Sequence, residues 1–333
     1  MKRILIVLIS LVLAAALLAG GAFAVRKLYA MYGNVWSALD NISAAADKIH
    51  RLDLEKIAGE AVLTSCVSTM SAQVEYLHSQ AMRQAEAAGT HYDYAWVDSV
   101  PPYIAHACGG LEEATYTNSR EAFVYNYERG QRVFEIDFNL AEDGVLVAAH
   151  EESDWRRMTG TDLPYTSESF NKLPLLGKYE SLDARDVVEL MAAYPDVYVI
   201  TDTKATTKMA TMLSFAQLVY CAQNTHPEVL DRIIPQIYSE EMLPWVNAVY
   251  PFRSVIFTLY QVHWTPESVL DFCMNSGVRF ITLPRDLVTA ETVELWDTLG
   301  VRVGVHTVND PEEAQRLFDM GVDMLYTDFI RPE

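Results

Sequence analysis

The chain has 333 residues, half of them hydrophobic, with 25 Lys and Arg against 45 Asp and Glu and a formal net charge of −20. That length allows one large domain with an appendage. The acidity excludes the basic footprint that nucleic-acid binding requires and gives no attraction to anionic lipid, but it suits a carboxylate-rich cation site.

Lys2 and Arg3 precede an unbroken apolar run from Ile4 to Val25, which Arg26 and Lys27 close. About 20 apolar residues cross a bilayer as a helix, so residues 1–27 are expected to form a transmembrane anchor. Ala22-Phe23-Ala24 also resembles a signal-peptide cleavage site, which keeps secretion after cleavage as the alternative. The basic residues that follow the run favour the uncleaved anchor. Both readings engage the export machinery and point to an extracytoplasmic location for the rest of the chain. The cysteines, Cys66, Cys108, Cys221 and Cys273, show no CxxC spacing, which excludes a zinc ribbon.

Residues 28–100 read as a helical stalk or hairpin. Apolar residues recur at three- and four-residue spacing through Trp36, Leu39, Ile42, Ala46 and Ile49, and again from Ile57 to Leu77. No chemistry is visible in this stretch, and Pro101-Pro102 ends it.

From residue 101 to 333 short β-rich runs alternate with helical segments. The strands are predicted at 103–107, 133–138, 197–203, 233–238, 254–260, 279–283, 302–308 and 324–328, with an additional strand at 145–150. Helices are predicted at 183–194, 206–223, 266–276, 290–299 and 311–320, with Gly277, Gly300 and Gly321 placed to end three of them. Eight such units predict an α/β fold, a closed (β/α)8 TIM barrel. A doubly wound open sheet is the alternative, but no glycine-rich nucleotide loop follows the first strand.

A barrel of this kind builds its site at the C-terminal ends of its strands. His106 ends the first strand. Glu135 and Asp137 lie two apart on the second, so both point to one side. His150 follows the additional strand, and Asp202 and Lys204 end the third. Gln236 and Tyr238, Tyr260, His306 with Asn309, and Asp328 come from the later strands. Gln236 and Tyr260 are candidate substrate contacts, His306 a pocket wall and Asp328 a support for the rim.

The series AHACGG, YTNSREAF, FEIDF, DGVLVAAH, TDTK, HTVND and LYTDF, in this order between Tyr103 and Phe329, resembles the glycerophosphodiester phosphodiesterase family, which is related to phosphatidylinositol-specific phospholipases C. The resemblance implies that His106 and His150 are the catalytic histidines and that Glu135, Asp137 and Asp202 hold a metal. It places Lys204 at the family's strand-three lysine, Asn118 and Ser119 at an Asn-Thr after the first loop, and Arg156 in the tail of the second motif. Asn118 and Arg156 are thereby candidates for substrate binding. Three positions depart from the family pattern: Ala107 stands for an arginine, Thr117 for an acid, and Glu151 for an aspartate.

Oxygen ligands favour Ca²⁺ or Mg²⁺, which would place positive charge at a phosphodiester. Lys204 would add a fixed charge on a non-bridging oxygen. The two histidines would divide the proton transfers, through a cyclic phosphate that water opens. The expected substrate is a glycerophosphodiester or phospholipid head group, met at the cell membrane and cleaved to an alcohol and glycerol 3-phosphate. The alternative is a catalytically decayed barrel that binds a phosphorylated ligand or partner, which Ala107 and Thr117 would favour.

Overall fold

The structure is a computed structural model and describes residues 92–112 and 114–332. The expected anchor over residues 1–27, and the stalk as far as residue 91, lie outside the described residues. Among the described residues no helix is long and apolar enough to cross a membrane.

The strands are β1 (Tyr103–Ala105), β2 (Val133–Asp137), β3 (Asn139–Leu140), β4 (Leu146–Val147), β5 (Tyr198–Asp202), β6 (Ile233–Ile237), β7 (Ile256–Thr258), β8 (Phe280–Pro284), β9 (Arg302–His306) and β10 (Met324–Thr327). All except β3 and β4 pair in parallel and close into a barrel, with β1 hydrogen-bonded to both β10 and β2. The predicted TIM barrel is therefore the observed fold. The strand expected at 145–150 is shorter: β4 ends at Val147 and pairs antiparallel with β3 outside the barrel, leaving His150 in the connection beyond it. The first strand also ends early. Ala107, Cys108 and Gly109 take φ values of 48°, 69° and 82°, a conformation no strand contains.

The helices are α1 (Arg120–Tyr127), α2 (Glu152–Thr159), α3 (Ser167–Lys172), α4 (Ala184–Ala193), α5 (Lys208–Thr225), α6 (Met242–Val249), α7 (Pro266–Ser276), α8 (Ala290–Asp297) and α9 (Pro311–Asp319). The five predicted helices are α4, α5, α7, α8 and α9. Each starts where its side-chain cap requires: Asp183, Thr207, Thr265, Thr289 and Asp310 accept hydrogen bonds from the first-turn amides. Such a cap contributes about 1 kcal/mol. Gly277, Gly300 and Gly321 all have positive φ beyond helix ends, as expected. Helices α1, α2, α3 and α6, which were not predicted, are short, with six to eight residues each.

Among the described residues the barrel unit includes residues 92–100, so it begins before Pro101. Residues 92–100, expected to belong to the stalk, pack into the N-terminal end of the barrel instead. Trp96 is buried there, stacked on Tyr198 and Phe280 at 5.3 and 5.8 Å, and its Nε1 donates to Ser254 Oγ at 3.1 Å. With Ile104, Val133, Ile200, Ile234, Ile256 and Met324 it forms an apolar cluster that closes the bottom of the barrel.

Candidate active site

Strand parity converts that apolar floor into a polar mouth. Two residues beyond Ile104, Val133, Ile200, Ile234, Ile256 and Met324, the same strand faces present His106, Glu135, Asp202, Gln236, Thr258 and Tyr326. These six line a cavity of about 620 Å³ at the C-terminal ends of the strands.

Glu135, Asp137 and Asp202 are buried, and an oxygen of each lies within 4.8 Å of the others. The register puts Asp137 opposite Asp202. Glu135 Oε2 accepts from the Ala107 amide at 2.7 Å, which the left-handed turn at Ala107 aims at it. Asn118 holds Asp137 twice: its Nδ2 donates to Oδ2, and its Oδ1 accepts from the Asp137 amide, both at 3.0 Å. Asp202 accepts from the Tyr238 hydroxyl and pairs with Lys204, whose Nζ also lies 3.0 Å from Asp137 Oδ1.

Burial disfavours a charge on Lys204, but Asp137, Asp202 and Glu135 outweigh it and hold the ammonium protonated. Burial, then Asp137, push the Glu135 carboxyl well above its usual range. Glu135 Oε1 is buried without a hydrogen-bond partner among the described residues. An orphaned carboxylate oxygen beside two further carboxylates, with one lysine to balance them, fits a divalent cation with oxygen ligands.

His106 and His150 both line the cavity, and each is backed at Nδ1 by a carboxylate. His106 Nδ1 is 2.9 Å from Asp328 Oδ1, and His150 Nδ1 is 2.9 Å from Asp154 Oδ2. A carboxylate on Nδ1 selects the tautomer that leaves Nε2 for the cavity. Asp328 is itself fixed by Asn309, whose Nδ2 donates to Oδ2 at 2.7 Å and whose Oδ1 accepts from the Asp328 amide at 2.8 Å. Burial alone would lower the His106 pKa, but the Asp328 hydrogen bond and the carboxylates of Glu135 and Asp137 raise it to about 9. The Tyr116 ring stands between the two imidazoles, edge-on to both, with centroids 4.8 Å from His106 and 5.1 Å from His150.

Of the predicted substrate contacts, Gln236 and Tyr260 line the cavity. Asn118 is fully buried behind Asp137, where it orients a carboxylate. Arg156 lies on α2 outside the cavity lining. Its guanidinium pairs with Glu152 at 2.6 Å and donates to the Leu163 carbonyl at 2.9 Å. His306 lines the cavity as a wall, and burial, with the charges of His106 and Lys204, lowers its pKa to about 4.

Two of the three departures have local explanations. Ala107 is buried in the turn that serves Glu135, and Thr117 is buried with its hydroxyl 3.0 Å from Ser119 Oγ. Gly109 and Gly110 of AHACGG are required by close approach. A Cβ at Gly109 would meet the Asn126 amide at 2.5 Å, and one at Gly110 would run into the Phe329 ring. Sequence reasoning missed Tyr116, Asp154, and Asn309 as the support of Asp328. Asp154, four residues after His150 at the start of a helix, was the one with a usable signal.

A closed parallel barrel with carboxylates, a lysine and two carboxylate-backed histidines at its C-terminal mouth defines a barrel enzyme equipped for acid–base work on a polar substrate. The Glycerophosphoryl diester phosphodiesterase family model matches residues 109–331. The chain is 22% identical over 274 residues to lysophospholipase D GDPD1 of Homo sapiens, covering 68% of this chain and 83% of that protein. Its fold is similar to an Oleispira antarctica phosphodiesterase solved with the product sn-glycerol-3-phosphate, with a TM-score of 0.59 and 17% identity over 70% of this chain and 95% of that one. A glycerophosphodiester phosphodiesterase from Parabacteroides distasonis gives a TM-score of 0.56 and 18% identity over 68% and 92% of the two chains. The chain belongs to the glycerophosphoryl diester phosphodiesterase family and is a hydrolase of phosphoric diesters.

Proposed function

We propose that this enzyme cleaves a glycerophosphodiester to an alcohol and glycerol 3-phosphate by acid–base catalysis shared between His106 and His150. The observation that carries the reading is the pair itself: two imidazoles, each oriented by a carboxylate on Nδ1, face one cavity beside three buried carboxylates. The name of the human relative and the product bound by the Oleispira antarctica enzyme agree with a glycerol phosphate ester as substrate.

Glu135, Asp137 and Asp202 are the residues that would hold a divalent cation, which when bound supplies positive charge at the phosphate. Lys204 fixes Asp137 and Asp202 and keeps a second positive charge at the same edge of the cavity. One histidine takes the proton of the glycerol hydroxyl beside the ester, whose oxygen attacks phosphorus. The other gives a proton to the departing alkoxide. Water then opens the cyclic phosphate with the two roles exchanged. Gln236 and Tyr260 are placed to meet the glycerol or the alcohol on the cavity wall.

The test is release of glycerol 3-phosphate from glycerophosphocholine by the full chain in detergent micelles, with Ca²⁺, Mg²⁺ or EDTA. Turnover with one of the two ions and its loss in EDTA are expected. An absence of release with either ion overturns the reading.

We further propose that Ile4–Val25 anchors the enzyme in the cell membrane with the barrel outside the cytoplasm, on the strength of that run and its basic flanks. Recovery of the intact chain in the membrane fraction is expected, whereas a soluble product beginning near Val25 contradicts it.

A further inference from the structure

Tyr116 occupies the position between the two histidines, and the reaction scheme above gives it no task. It sits in the connection between β1 and α1 at φ 59°, a left-handed conformation that costs a bulky residue about 1–2 kcal/mol. The neighbouring backbone holds it there: Asn118, also left-handed at φ 46°, donates its amide to the Ala107 carbonyl at 3.2 Å and locks its side chain on Asp137. The ring is thereby wedged edge-on between His106 and His150. The two imidazole centroids, each about 5 Å from the tyrosine ring, are no more than about 10 Å apart. A phosphoryl group that both imidazoles reach must lie against Tyr116.

The phenol is uncommitted. It forms no hydrogen bond among the described residues, and Tyr116 lines the cavity that holds Glu135, Asp202 and Lys204. Apart from its histidines, the cavity is short of cationic donors. Among the described residues Lys204 is the one lysine or arginine in its lining, and its ammonium is already shared between Asp137 and Asp202. Ala107, immediately after His106, is fully buried and offers only its amide, which Glu135 takes. A phenol keeps its proton up to about pH 10, and burial raises that limit here, so Tyr116 enters the reaction as a donor.

We propose that Tyr116 is a substrate-contacting catalytic residue whose hydroxyl donates a hydrogen bond to a non-bridging oxygen of the phosphodiester held between His106 and His150. The inference rests on the phosphodiesterase reading above. A neutral donor aimed at a phosphoryl oxygen whose charge is reorganised in the transition state acts on turnover more than on ground-state binding.

The experiment compares wild type, Tyr116→Phe and Tyr116→Leu in the full chain, by steady-state release of glycerol 3-phosphate from glycerophosphocholine. It adds a polyfluorinated tyrosine at position 116, whose phenol loses its proton below the limb that His106 sets near pH 9. Tyr116→Phe keeps the wedge and loses only the donor, so a fall in kcat of about 10- to 100-fold with a nearly unchanged KM is expected. With the fluorinated residue the alkaline limb of kcat is expected to move to lower pH. Full activity in Tyr116→Phe, with or without a loss in Tyr116→Leu, overturns the donor role, and so does an alkaline limb that does not move with the fluorinated residue. A wild type that releases no glycerol 3-phosphate fails on the phosphodiesterase reading, and this result is distinct from both of the others.

Discussion

Asp328 Oδ1 lies 2.9 Å from His106 Nδ1, a contact that joins the ends of the first and last barrel strands across 222 positions of sequence. Closure of β1 on β10 makes it, because Ala105 is in register with Thr327. The carboxylate orients the imidazole and raises its pKa, with Glu135 and Asp137, to about 9. Asp328→Asn removes the charge and keeps the shape. The His106 pKa then falls, and the limb of kcat/KM that reports it moves to lower pH by about one to two pH units, the worth of one charged hydrogen bond. A fall in kcat of about 10- to 100-fold accompanies it. The linked stability has the same sign. The folded pKa lies above that of free imidazole, about 6.5, so the stabilisation is complete below that pH and fades as pH rises through about 9. Rate profiles and unfolding midpoints across pH check both.

Glu135→Gln tests the cation site without a turnover assay. The buried carboxyl carries an unpartnered oxygen, and its raised pKa means that stability is lost as pH rises from the free-carboxyl range through the raised value. At pH 7 the cation-free variant is therefore expected to be more stable than wild type. Wild type gains about 2.7 kcal/mol at a hundredfold excess of cation over Kd, or about 5–10 °C in unfolding midpoint. The variant is expected to gain almost none of it. Thermal unfolding with and without Ca²⁺ or Mg²⁺ measures the difference.

Asn118→Ala separates two roles for one residue. The sequence motif makes Asn118 a substrate contact, whereas its amide holds both an oxygen and the backbone of Asp137. Loss of a residue that orients a metal ligand weakens cation affinity by about 10- to 100-fold. Activity in the variant is expected to return at high cation concentration, with KM for glycerophosphocholine close to wild type at saturating cation. Titration of activity with the ion distinguishes this from a loss of substrate binding.

Trp96→Ala probes the opposite end of the barrel. The indole is buried on Tyr198 and Phe280 beneath the apolar floor, and its removal is expected to cost about 3–5 kcal/mol. Because Trp96, Tyr198 and Phe280 do not themselves line the cavity, kcat at 25 °C should stay near wild type while the denaturation midpoint falls. Urea unfolding and turnover on the same sample test the separation.

The barrel was legible because parallel strands buried on both faces read as apolar runs, and their capped helices carry a separate signal. Glu135 and Asp137 were legible because i, i+2 spacing fixes side-chain direction without knowledge of the partner strand, and Asp202 because it ends a strand; Lys204 lies beyond β5 at φ 52° and was legible through the motif alone. What was not legible depends on contacts far apart in sequence or on irregular backbone. The partner of His106 is set by barrel closure, and Trp96 enters a floor assembled from seven strands. Asn118 and Tyr116 owe their directions to left-handed turns that no periodicity encodes. Arg156 matched a motif, yet its helix places Glu152 one turn earlier as a competing partner.

The central claim is that His106 and His150 share the proton transfers at one phosphate. The most direct measurement is kcat for glycerol 3-phosphate release from glycerophosphocholine by His106→Ala, His150→Ala and the double variant, each at saturating cation. Each single variant is expected to lose about 10²- to 10⁴-fold, and the double variant to lose little more than the worse single, because two groups acting on one transition state fail as a unit. Wild-type turnover in either single variant, with fold and cation binding intact, would contradict the account.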